Sequence, residues 1–400
     1  MSLFDALQPA TQDPILLSFQ DFMADPRAEK TNLGVGMYYD AQGRIPVMRA
    51  VAAAEEQVMQ RQAPWGYLMS EGLPGLRAGA ESLLFGDALA GSLRGRVATL
   101  QTLGGTGAIR LGAEVINRLQ PGAVVAMSRP TWLNHPSTFQ AAGLQVAEYP
   151  YYDRATGEVE WAAMREAVAA MPAGTVVLLH ACCHNPTGAD LSPGQWAELA
   201  DLLAERRLVP FLDLAYGGFG DGLEADTAPV RLLAAKGLPL FVATSFSKSF
   251  ALYGERVGAL SVVAESAEQA TMLTETMKSI TRNIYSTPPT HGALLVATVL
   301  GDPVLRADWR AELESMRLRI VGTRQALLDR VGRNSGHDFG FLTRQKGLFS
   351  YSGLSVAQMQ RMKAEAAVHA VEDGRICMAA VNESNIDRVA AALRAVTQEG

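Results

Sequence analysis

The middle of the chain alternates short, almost continuous apolar runs with longer segments of helical periodicity, such as residues 195–206. Runs of this kind are typical of parallel strands that are covered by helices on both faces of a sheet. The pattern therefore predicts a doubly wound α/β domain. Its five predicted strands are residues 124–128, 176–182, 209–214, 238–245 and 257–263.

A long amphipathic pattern follows at residues 303–331, in which Gly322 is the first glycine after the starting proline. It predicts a single helix that is long enough to connect two domains. The last part of the chain has a glycine-bounded segment at 347–353, a helical segment at 355–367 and a strand-like segment at 375–381. This mixture predicts a smaller α+β unit.

Composition narrows the class of protein. A chain of 400 residues is expected to form at least two domains, and 48% hydrophobic with 19% charged residues is typical of a folded enzyme. The 41 acidic residues exceed the 35 basic ones and no basic stripe is present, which argues against nucleic-acid and anionic-membrane partners. Small molecules are the expected partners.

The cysteines and the apolar runs predict a cytoplasmic protein. Cys182, Cys183 and Cys377 provide no disulfide framework, and Arg27 is the first basic residue, so a signal-peptide charge pattern is missing. Apolar runs such as 293–300 are shorter than the roughly 20 residues that cross a bilayer. We therefore expect no membrane-spanning segment.

Polar residues stand at the ends of three predicted strands. The first run is followed by Asn185, the next ends in Asp213 with Tyr216 beyond it, and the third leads into Ser247 and Lys248. Ligands of open α/β sheets bind outside the carboxyl ends of the strands. We therefore expect these side chains to meet at one crevice.

This set of side chains matches the needs of pyridoxal phosphate. Lys248 supplies an amine that can hold the cofactor as a Schiff base, and a buried Asp213 would pair with the protonated pyridine nitrogen. Asn185 and Tyr216 would hydrogen-bond the phenolic oxygen of the ring. The neighbouring cation Arg256 is expected to lower the pKa of Lys248, whose amine must be neutral to react.

A phosphate site is predicted from a second group of donors. Ser245, Ser247 and Arg256 surround Lys248 in sequence, and hydroxyl groups with a bidentate guanidinium suit a phosphate dianion. The glycine-rich turn at 104–107 opens a helical pattern at 108–119, whose N-terminal amides add further donors.

Other interpretations of the same residues are weaker. The glycine turn matches the start of a dinucleotide fingerprint, but Arg110 replaces the third glycine. Residues 245–248 fit the S-x-x-K motif of penicillin-recognising enzymes, but the chain has no S-D-N or K-T-G partner motif. Adjacent Cys182 and Cys183 lack the spacing of a metal clip and are interpreted as core thiols.

The role of Trp132 and His135 stays open at this point. Both fall in a predicted proline-rich turn. An aromatic ring stacked on the cofactor with an imidazole that orients Asp213, and a simple packed turn, are equally compatible with the sequence.

Several short motifs occur along the chain in an order that identifies a family. They are N-L-G-V-G at 32–36, G-G-T-G-A at 104–108, C-C-H-N-P-T-G at 182–188, D-L-A-Y at 213–216, S-F-S-K at 245–248, E-R-V-G at 255–258 and G-R at 374–375. With these motifs the chain resembles the class I aminotransferases, in particular their bacterial aspartate and aromatic-amino-acid branch, over essentially its whole length.

The resemblance implies the architecture of a fold-type I transferase that depends on pyridoxal phosphate. It implies a large cofactor-binding domain at 47–312 and a small domain formed from 14–46 and 313–400. Residues 1–13 would form an N-terminal arm. The family also implies a homodimer with shared active sites.

The resemblance assigns roles to individual residues. Lys248, Asp213 and Tyr216 are expected to be catalytic. The expected cofactor-binding residues are Gly105, Thr106, Trp132, His135, Asn185, Asp213, Tyr216, Ser245, Ser247, Lys248 and Arg256, with Tyr67 from the other subunit. The expected substrate-binding residues are Gly36, Tyr39, Trp132, Asn185, Arg375 as the clamp for the α-carboxylate, and Arg282 from the other subunit for a second carboxylate.

By the same resemblance, the expected reaction moves the amino group of tyrosine, phenylalanine, tryptophan and aspartate to 2-oxoglutarate by a ping-pong mechanism. Aspartate-preferring relatives tend to have lysine at the position of Tyr39, so this residue favours an aromatic-tolerant pocket. Thr106 is aspartate-like, however, and Thr287 matches neither branch. An aspartate aminotransferase with only minor aromatic activity is therefore the alternative.

Two rival functions share parts of this description. A decarboxylase or an acyl-transferring synthase has the same fold and lysine chemistry, but two carboxylate clamps at Arg375 and Arg282 argue for transamination. A ligand-sensing regulator would need an added DNA-binding domain, for which the chain has neither room nor charge.

Overall fold

A computed structural model describes residues 3–7, 13–332 and 337–398. The helices are α1 (Pro14–Ala24), α2 (Arg49–Gln60), α3 (Pro74–Ala90), α4 (Gly104–Leu119), α5 (Asn134–Ala141), α6 (Trp161–Ala169), α7 (Pro193–Glu205), α8 (Leu223–Asp226), α9 (Ala228–Ala235), α10 (Ala267–Ile284), α11 (His291–Gly301), α12 (Pro303–Val331), α13 (Val356–Ala366) and α14 (Ile386–Thr397). Short 3-10 helices are Leu3–Ala6, Gly340–Thr343 and Met378–Ala380.

The strands are β1 (Thr31–Asn32), β2 (Val97–Leu103), β3 (Val124–Arg129), β4 (Gln145–Pro150), β5 (Tyr152–Asp153), β6 (Glu158–Val159), β7 (Val176–His180), β8 (Val209–Leu214), β9 (Leu240–Ser245), β10 (Val257–Val263), β11 (Phe349–Tyr351), β12 (Val368–His369) and β13 (Arg375–Cys377). Seven of them form the central sheet in the order β2-β10-β9-β8-β7-β3-β4. Strand β10 runs antiparallel to both of its neighbours, and the other pairs are parallel. The predicted α/β fold with a mostly parallel sheet is confirmed.

All five predicted strands belong to this sheet, but β2 and β4 were not predicted. In β2 the run of apolar residues is interrupted by three buried polar residues, Thr99, Gln101 and Thr102. Strand β4 includes exposed residues such as Glu148. Neither strand therefore has the continuous apolar run that marked the others.

The sheet separates two apolar layers. In β8, Phe211 belongs to the layer under α4, whereas Leu212 belongs to the layer on the opposite face. Helix α4 lies very close to the sheet, since a Cβ on Gly112 would stand 2.5 Å from Phe211 Cε2. Burial on both faces explains why the central strands read as unbroken apolar runs.

Strand β7 ends two residues before the predicted 176–182. The chain turns there because the Asp190 carboxylate accepts hydrogen bonds from the backbone N–H of Cys183 at 2.7 Å and of His184 at 2.8 Å. These bonds replace the ladder and direct the following residues, including Asn185, across the carboxyl ends of the strands.

The predicted long helix is confirmed as α12. Asp302 caps its start by accepting hydrogen bonds from the backbone N–H of Val304 at 2.8 Å and of Leu305 at 3.1 Å. At about 1.5 Å per residue the helix is roughly 43 Å long. Near its start, the indole of Trp309 donates a 2.7 Å hydrogen bond to the carbonyl of Ser249, and its later turns pack on α14. The helix thus contacts both the sheet-containing part and the C-terminal part of the chain.

The C-terminal part includes a piece of the N-terminal segment. Strand β1 pairs in parallel with β12, and β11 pairs with β13 in antiparallel fashion. The predicted strand at 375–381 is shorter than expected, because Met378–Ala380 forms a 3-10 helix in which the backbone N–H of Val381 donates to the carbonyl of Met378 at 3.2 Å. The predicted domain boundaries stay a prediction.

Of the predicted arm at 1–13, residues 1–2 and 8–12 lie outside the described residues. Among the helices that the structure describes, none combines the length and the apolar composition that a membrane span requires.

Candidate active site

The side chains from the three strand ends lie in one pocket. Asp213 is the penultimate residue of β8, and Lys248 follows β9 by three residues. The pocket is lined by Gly105, Thr106, Ile109, Trp132, Asn185, Asp213, Ala215, Tyr216, Ser245, Ser247, Lys248 and Arg256. The structure therefore brings together every predicted cofactor residue except His135, which lies behind Asp213, and Tyr67.

Asp213 offers one free oxygen to this pocket. It is buried, its Oδ2 lies 3.2 Å from His135 Nε2, and its Oδ1 has no hydrogen-bond partner among the described residues. Burial acts to raise the pKa of Asp213, but the hydrogen bond from His135 and the charge of Lys248 outweigh burial and keep it below its usual value. A buried carboxylate with a vacant acceptor atom suits a ligand that brings a cationic N–H group.

His135 is held on its other side. Thr131 Oγ1 lies 2.8 Å from His135 Nδ1, and the ring of Trp132 meets the imidazole edge-on with centroids 5.2 Å apart. His135 is the second residue of the short helix α5 and does not lie in a turn, which corrects the sequence prediction. Because one histidine nitrogen is fixed by Thr131, the other is oriented toward Asp213.

One histidine beside Asp213, His180, was not singled out from the sequence. His180 ends β7, directly beside Asp213 in the strand register, and its ring centroid lies 5.2 Å from that of His135 and 4.3 Å from that of His184. Burial lowers the pKa of His180 to about 3, so this imidazole is neutral. Aligning the ends of the two predicted parallel strands would have placed His180 beside the carboxylate.

Lys248 has an amine that is prepared for nucleophilic chemistry. Burial, followed by the charges of Arg256 and Arg375, lowers its pKa to about 8 against the opposing effect of Asp213. The predicted lowering by Arg256 is confirmed, although removal of the amine from water is the larger effect. Lys248 Nζ lies 5.3 Å from the ring centroid of Tyr216. A substantial fraction of the amine is therefore neutral near pH 8.

Other residues that line the pocket provide hydrogen-bond donors for an anion. Helix α4 begins at Gly104, so the amides of Gly105 and Thr106 lie in its first turn without intrahelical partners. Gly104 has φ +67° and a Cβ there would stand 2.6 Å from Arg256 Nη2, so the backbone can approach the guanidinium only as glycine.

Arg256 keeps most of its donors available. Its Nη1 donates to Ser247 Oγ at 3.3 Å and to the carbonyl of Tyr253 at 3.0 Å, and no carboxylate pairs with it in the part of the chain that the structure describes. Together with the amides of α4 and the Ser245 hydroxyl, this cation forms a site for a dianion.

Arg375 lies beside the pocket and is almost fully buried. Its Nη1 donates to Asn185 Oδ1 at 3.3 Å and its Nη2 to the carbonyl of Gly34 at 2.7 Å, while Nε has no partner within the described residues. The guanidinium carbon lies 4.3 Å from the ring centroid of Phe349. Gly36 is packed on the same ring, since a Cβ there would stand 2.4 Å from Phe349 Cζ.

Three predicted site residues lie elsewhere in the single chain. Tyr39 lines a separate groove with residues 28–32 and Arg388. Tyr67 is 97% exposed, and Arg282, in the last turn of α10, donates to the Ser286 hydroxyl at the surface. None of the three lines the pocket of Lys248 and Asp213.

Comparison with known proteins fits this geometry. Residues 28–393 match the family described as aminotransferase class I and II. The chain belongs to this family. Its members depend on pyridoxal phosphate, so this aminotransferase is a pyridoxal-phosphate enzyme of the predicted fold-type I architecture.

The relatives of this aminotransferase include enzymes named for aspartate and enzymes named for aromatic amino acids. It is 50% identical over 394 residues to the aspartate aminotransferase of Pseudomonas aeruginosa, covering 98% of this chain and 99% of the relative. It is 45% identical over 398 residues to the aromatic-amino-acid aminotransferase of Escherichia coli, covering 98% and 100%. The crystal structure of the aromatic-amino-acid aminotransferase from Burkholderia pseudomallei, covalently bound to pyridoxal phosphate, superposes with a TM-score of 0.96 at 49% identity, covering 99% and 100%.

Proposed function

We propose that this aminotransferase moves the amino group of tyrosine, phenylalanine, tryptophan and aspartate to 2-oxoglutarate. The observation that carries the proposal is the meeting of three groups: the Lys248 amine and the free oxygen of Asp213 in one pocket, with the Arg375 guanidinium next to it. Amine, carboxylate and guanidinium are the groups that amino transfer from an α-amino acid requires.

The residues present fit pyridoxal phosphate. The vacant Asp213 Oδ1 suits the pyridine N–H, and the donors at Gly105, Thr106 and Arg256 suit the phosphate. When bound, the cofactor supplies an aldehyde that combines with amines and a ring that withdraws electrons from the substrate Cα. Asn185 and Tyr216 would donate to its phenolic oxygen, and burial keeps the Tyr216 hydroxyl protonated by raising its pKa.

Lys248 would act first as the cofactor's covalent anchor and then as the proton carrier. Once the substrate amine has displaced it, its neutral Nζ is free to accept the proton from the substrate Cα and to deliver it onward. Asp213, oriented by His135, would keep the pyridine nitrogen protonated through this step. Release of a 2-oxo acid before 2-oxoglutarate binds gives ping-pong kinetics.

Arg375 would orient every substrate by its α-carboxylate. Its Nε and the outer edge of its guanidinium are the donors left over from Asn185 and Gly34, and they match a carboxylate in a bidentate arrangement. No carboxylate pairs with the Arg375 side chain among the described residues, so its guanidinium is available to a substrate carboxylate.

Relatives named for aspartate and relatives named for aromatic amino acids both support the proposed range of substrates. Tyr39 favours aromatic substrates, and one relative at 45% identity is named for them. The relative at 50% identity is named an aspartate aminotransferase, which favours the second candidate, an aspartate enzyme with minor aromatic activity.

The test is a comparison of kcat/KM with 2-oxoglutarate as acceptor and tyrosine, phenylalanine, tryptophan or aspartate as donor, measured by glutamate formation. Comparable values for the aromatic donors and aspartate would support the first candidate. A strong preference for aspartate would favour the second, and absence of glutamate with all four donors would overturn both.

We propose a homodimer in which Tyr67 and Arg282 complete the partner's site. Both residues lie away from their own pocket, and the segment around Tyr67 exposes Trp65 (59%) and Met69 (68%), which is unusual for apolar side chains unless they are covered by another subunit. The mass of the enzyme in solution tests the dimer.

Mixing one inactive and one impaired variant tests the shared site. Lys248→Ala and Arg282→Leu chains should regain aspartate turnover when refolded together, because the mixed dimer has one site with both residues intact. Activity that stays at the level of the separate variants would contradict the shared site.

We also propose a cytoplasmic location and the domain division at residues 46/47 and 312/313. The free, buried thiols of Cys182, Cys183 and Cys377 suit a reducing compartment, and the pairing of β1 with β12 supports a small domain built from both parts of the chain. Cell fractionation and limited proteolysis would test these two assignments.

A further inference from the structure

The connecting helix α12 carries a buried arginine with an unusual set of partners. Arg324 is 2% exposed, and its guanidinium donates to the carbonyls of Leu342 at 2.9 Å, Gly347 at 2.9 Å and Phe349 at 2.6 Å, and to the Ser350 hydroxyl at 2.6 Å. No carboxylate pairs with it among the described residues. A buried cation of this kind is tolerated because the surrounding carbonyl dipoles solvate it.

All of these acceptors belong to one segment, residues 342–350. This segment contains Phe349, whose ring contacts Arg375, the proposed clamp for the substrate carboxylate. Phe349 is 2% exposed and presents its ring to the Arg375 guanidinium at 4.3 Å. The same ring meets Tyr216 edge-on, with centroids 5.8 Å apart, and blocks any side chain at position 36. Phe349 thus touches three parts of the active site at once.

We infer that Arg324 is a positioning residue for substrate binding, which acts through Phe349 on the Arg375 clamp. This inference rests on the proposed role of Arg375 in holding the α-carboxylate. Arg324 does not touch the substrate. Its hydrogen bonds fix the backbone of residues 342–350 to helix α12. They thereby set the plane of the Phe349 ring, on which the Arg375 guanidinium lies.

The physical need for such a support follows from the surroundings of Arg375. Its side chain is held by two hydrogen bonds, to Asn185 and Gly34, and by the ring face of Phe349. A carboxylate is bound tightly only if the guanidinium plane is already correct, since reorientation of a long side chain reduces affinity. Loss of the ring support should therefore weaken carboxylate binding and leave the cofactor pocket intact.

The test measures carboxylate binding to the holoenzyme without turnover. The probe is 3-phenylpropionate, an aromatic monocarboxylate with no amino group to transfer, titrated by calorimetry. Arg324→Met is expected to raise its Kd about tenfold, the loss expected of a desolvated cation–π contact. The cofactor absorbance should stay unchanged, and KM for tyrosine should rise more than kcat falls.

Arg330→Met is the matched control. This arginine lies on the same helix but at the surface, where its Nε pairs with Asp387 at 2.7 Å. Its Kd for 3-phenylpropionate should equal that of the wild type. An equal rise in both variants would attribute the effect to the helix as a whole and overturn the inference.

Two milder changes keep the inference testable if Arg324→Met fails to fold. Ser350→Ala removes one acceptor of Arg324 and should raise the Kd about threefold, in line with loss of one charged hydrogen bond. Phe349→Leu should raise it about as much as Arg324→Met, and the double variant Arg324→Met/Phe349→Leu should add little to either. Full additivity, or unchanged Kd in Ser350→Ala, would overturn the inference.

Binding is measured without transamination, so a wild-type enzyme that binds the probe but forms no glutamate would count against the proposed function alone.

Discussion

The cofactor end of the active site lies on the strand ends of one sheet, whereas the substrate end comes from segments scattered over the chain. Asp213 lies at the end of β8 and Lys248 follows the adjacent strand β9, and most of the expected cofactor-binding residues line one pocket of the same chain. Arg375 and Gly36 come from the two ends of the chain, and Arg282 lies outside its own pocket.

This difference separates the chemistry from the choice of substrate. The rigid sheet fixes the groups that every turnover uses, with spacings set by backbone hydrogen bonds. The substrate end is held by side-chain contacts between distant segments, such as Phe349 with Arg375 and Gly36. Changes at the cofactor end should therefore affect all donors equally, and changes at the substrate end should distinguish between them.

The largest effect is expected at the cofactor end. Lys248→Ala should reduce kcat for every donor by at least about 10⁴-fold, because both the anchor and the proton carrier are lost. Borohydride reduction of the wild type should fix the cofactor to a peptide that contains residue 248, as read by mass spectrometry. Lys236→Ala, at an exposed ion pair with Asp201, is the control with unchanged activity. Covalent labelling that persists in Lys248→Ala would contradict the assignment.

Arg375→Leu should raise KM for tyrosine and for aspartate alike by about 100-fold, because each loses charged hydrogen bonds to the α-carboxylate. Steady-state kinetics with both donors check this, with Arg388→Leu as the comparison, because this half-buried arginine pairs with Glu29 and does not line the pocket of Lys248. A change confined to one donor would place Arg375 outside the common clamp.

Arg282→Leu should sharpen the contrast between the two ends. KM for aspartate is expected to rise roughly 30-fold, whereas KM for tyrosine should change less than about threefold, because only the dicarboxylate loses an ion pair. Lys278→Met removes another cation from the same helix α10 and should leave both values unchanged. Equal loss for both donors would argue against a role in the second carboxylate.

The pKa of Lys248 gives a pH test of the cofactor end. Burial disfavours the ammonium form, so the amine is mostly protonated below its pKa of about 8 and mostly neutral above it. The rate at which the apoenzyme takes up pyridoxal phosphate covalently should therefore fall about tenfold for each pH unit well below the pKa. Stopped-flow absorbance between pH 6 and 9 measures it, and a rate independent of pH would contradict the shifted amine.

The smallest effect is expected for Tyr39→Lys, because Tyr39 lines a groove apart from the pocket of Lys248. The ratio of kcat/KM for tyrosine to that for aspartate should fall about threefold, since an added cation favours the dicarboxylate. Gln42→Lys places a cation in the same groove and serves as the control. If both variants shift the ratio equally, the preference between tyrosine and aspartate depends on any added positive charge in the groove and not on position 39.

The sequence located most of the cofactor end, because its residues follow apolar runs that are recognisable locally. Asp213, Lys248 and the long helix α12 were predicted from spacing and periodicity alone. His180 was missed although it pairs with Asp213 across adjacent strands, since that register is decided between strands and not within one. Strands β2 and β4 were missed because their polar residues hide the apolar pattern.

The sequence by itself determined five strands of the central sheet, the long helix α12 and the residue types available at three strand ends, because periodicity and turn signals depend on neighbours in the chain. The tertiary structure decided that β10 runs against its neighbours, that Arg324 supports Phe349, and that Tyr39 lies apart from the pocket. These contacts join residues far apart in the chain, and their geometry is set by packing and burial, which no local pattern encodes.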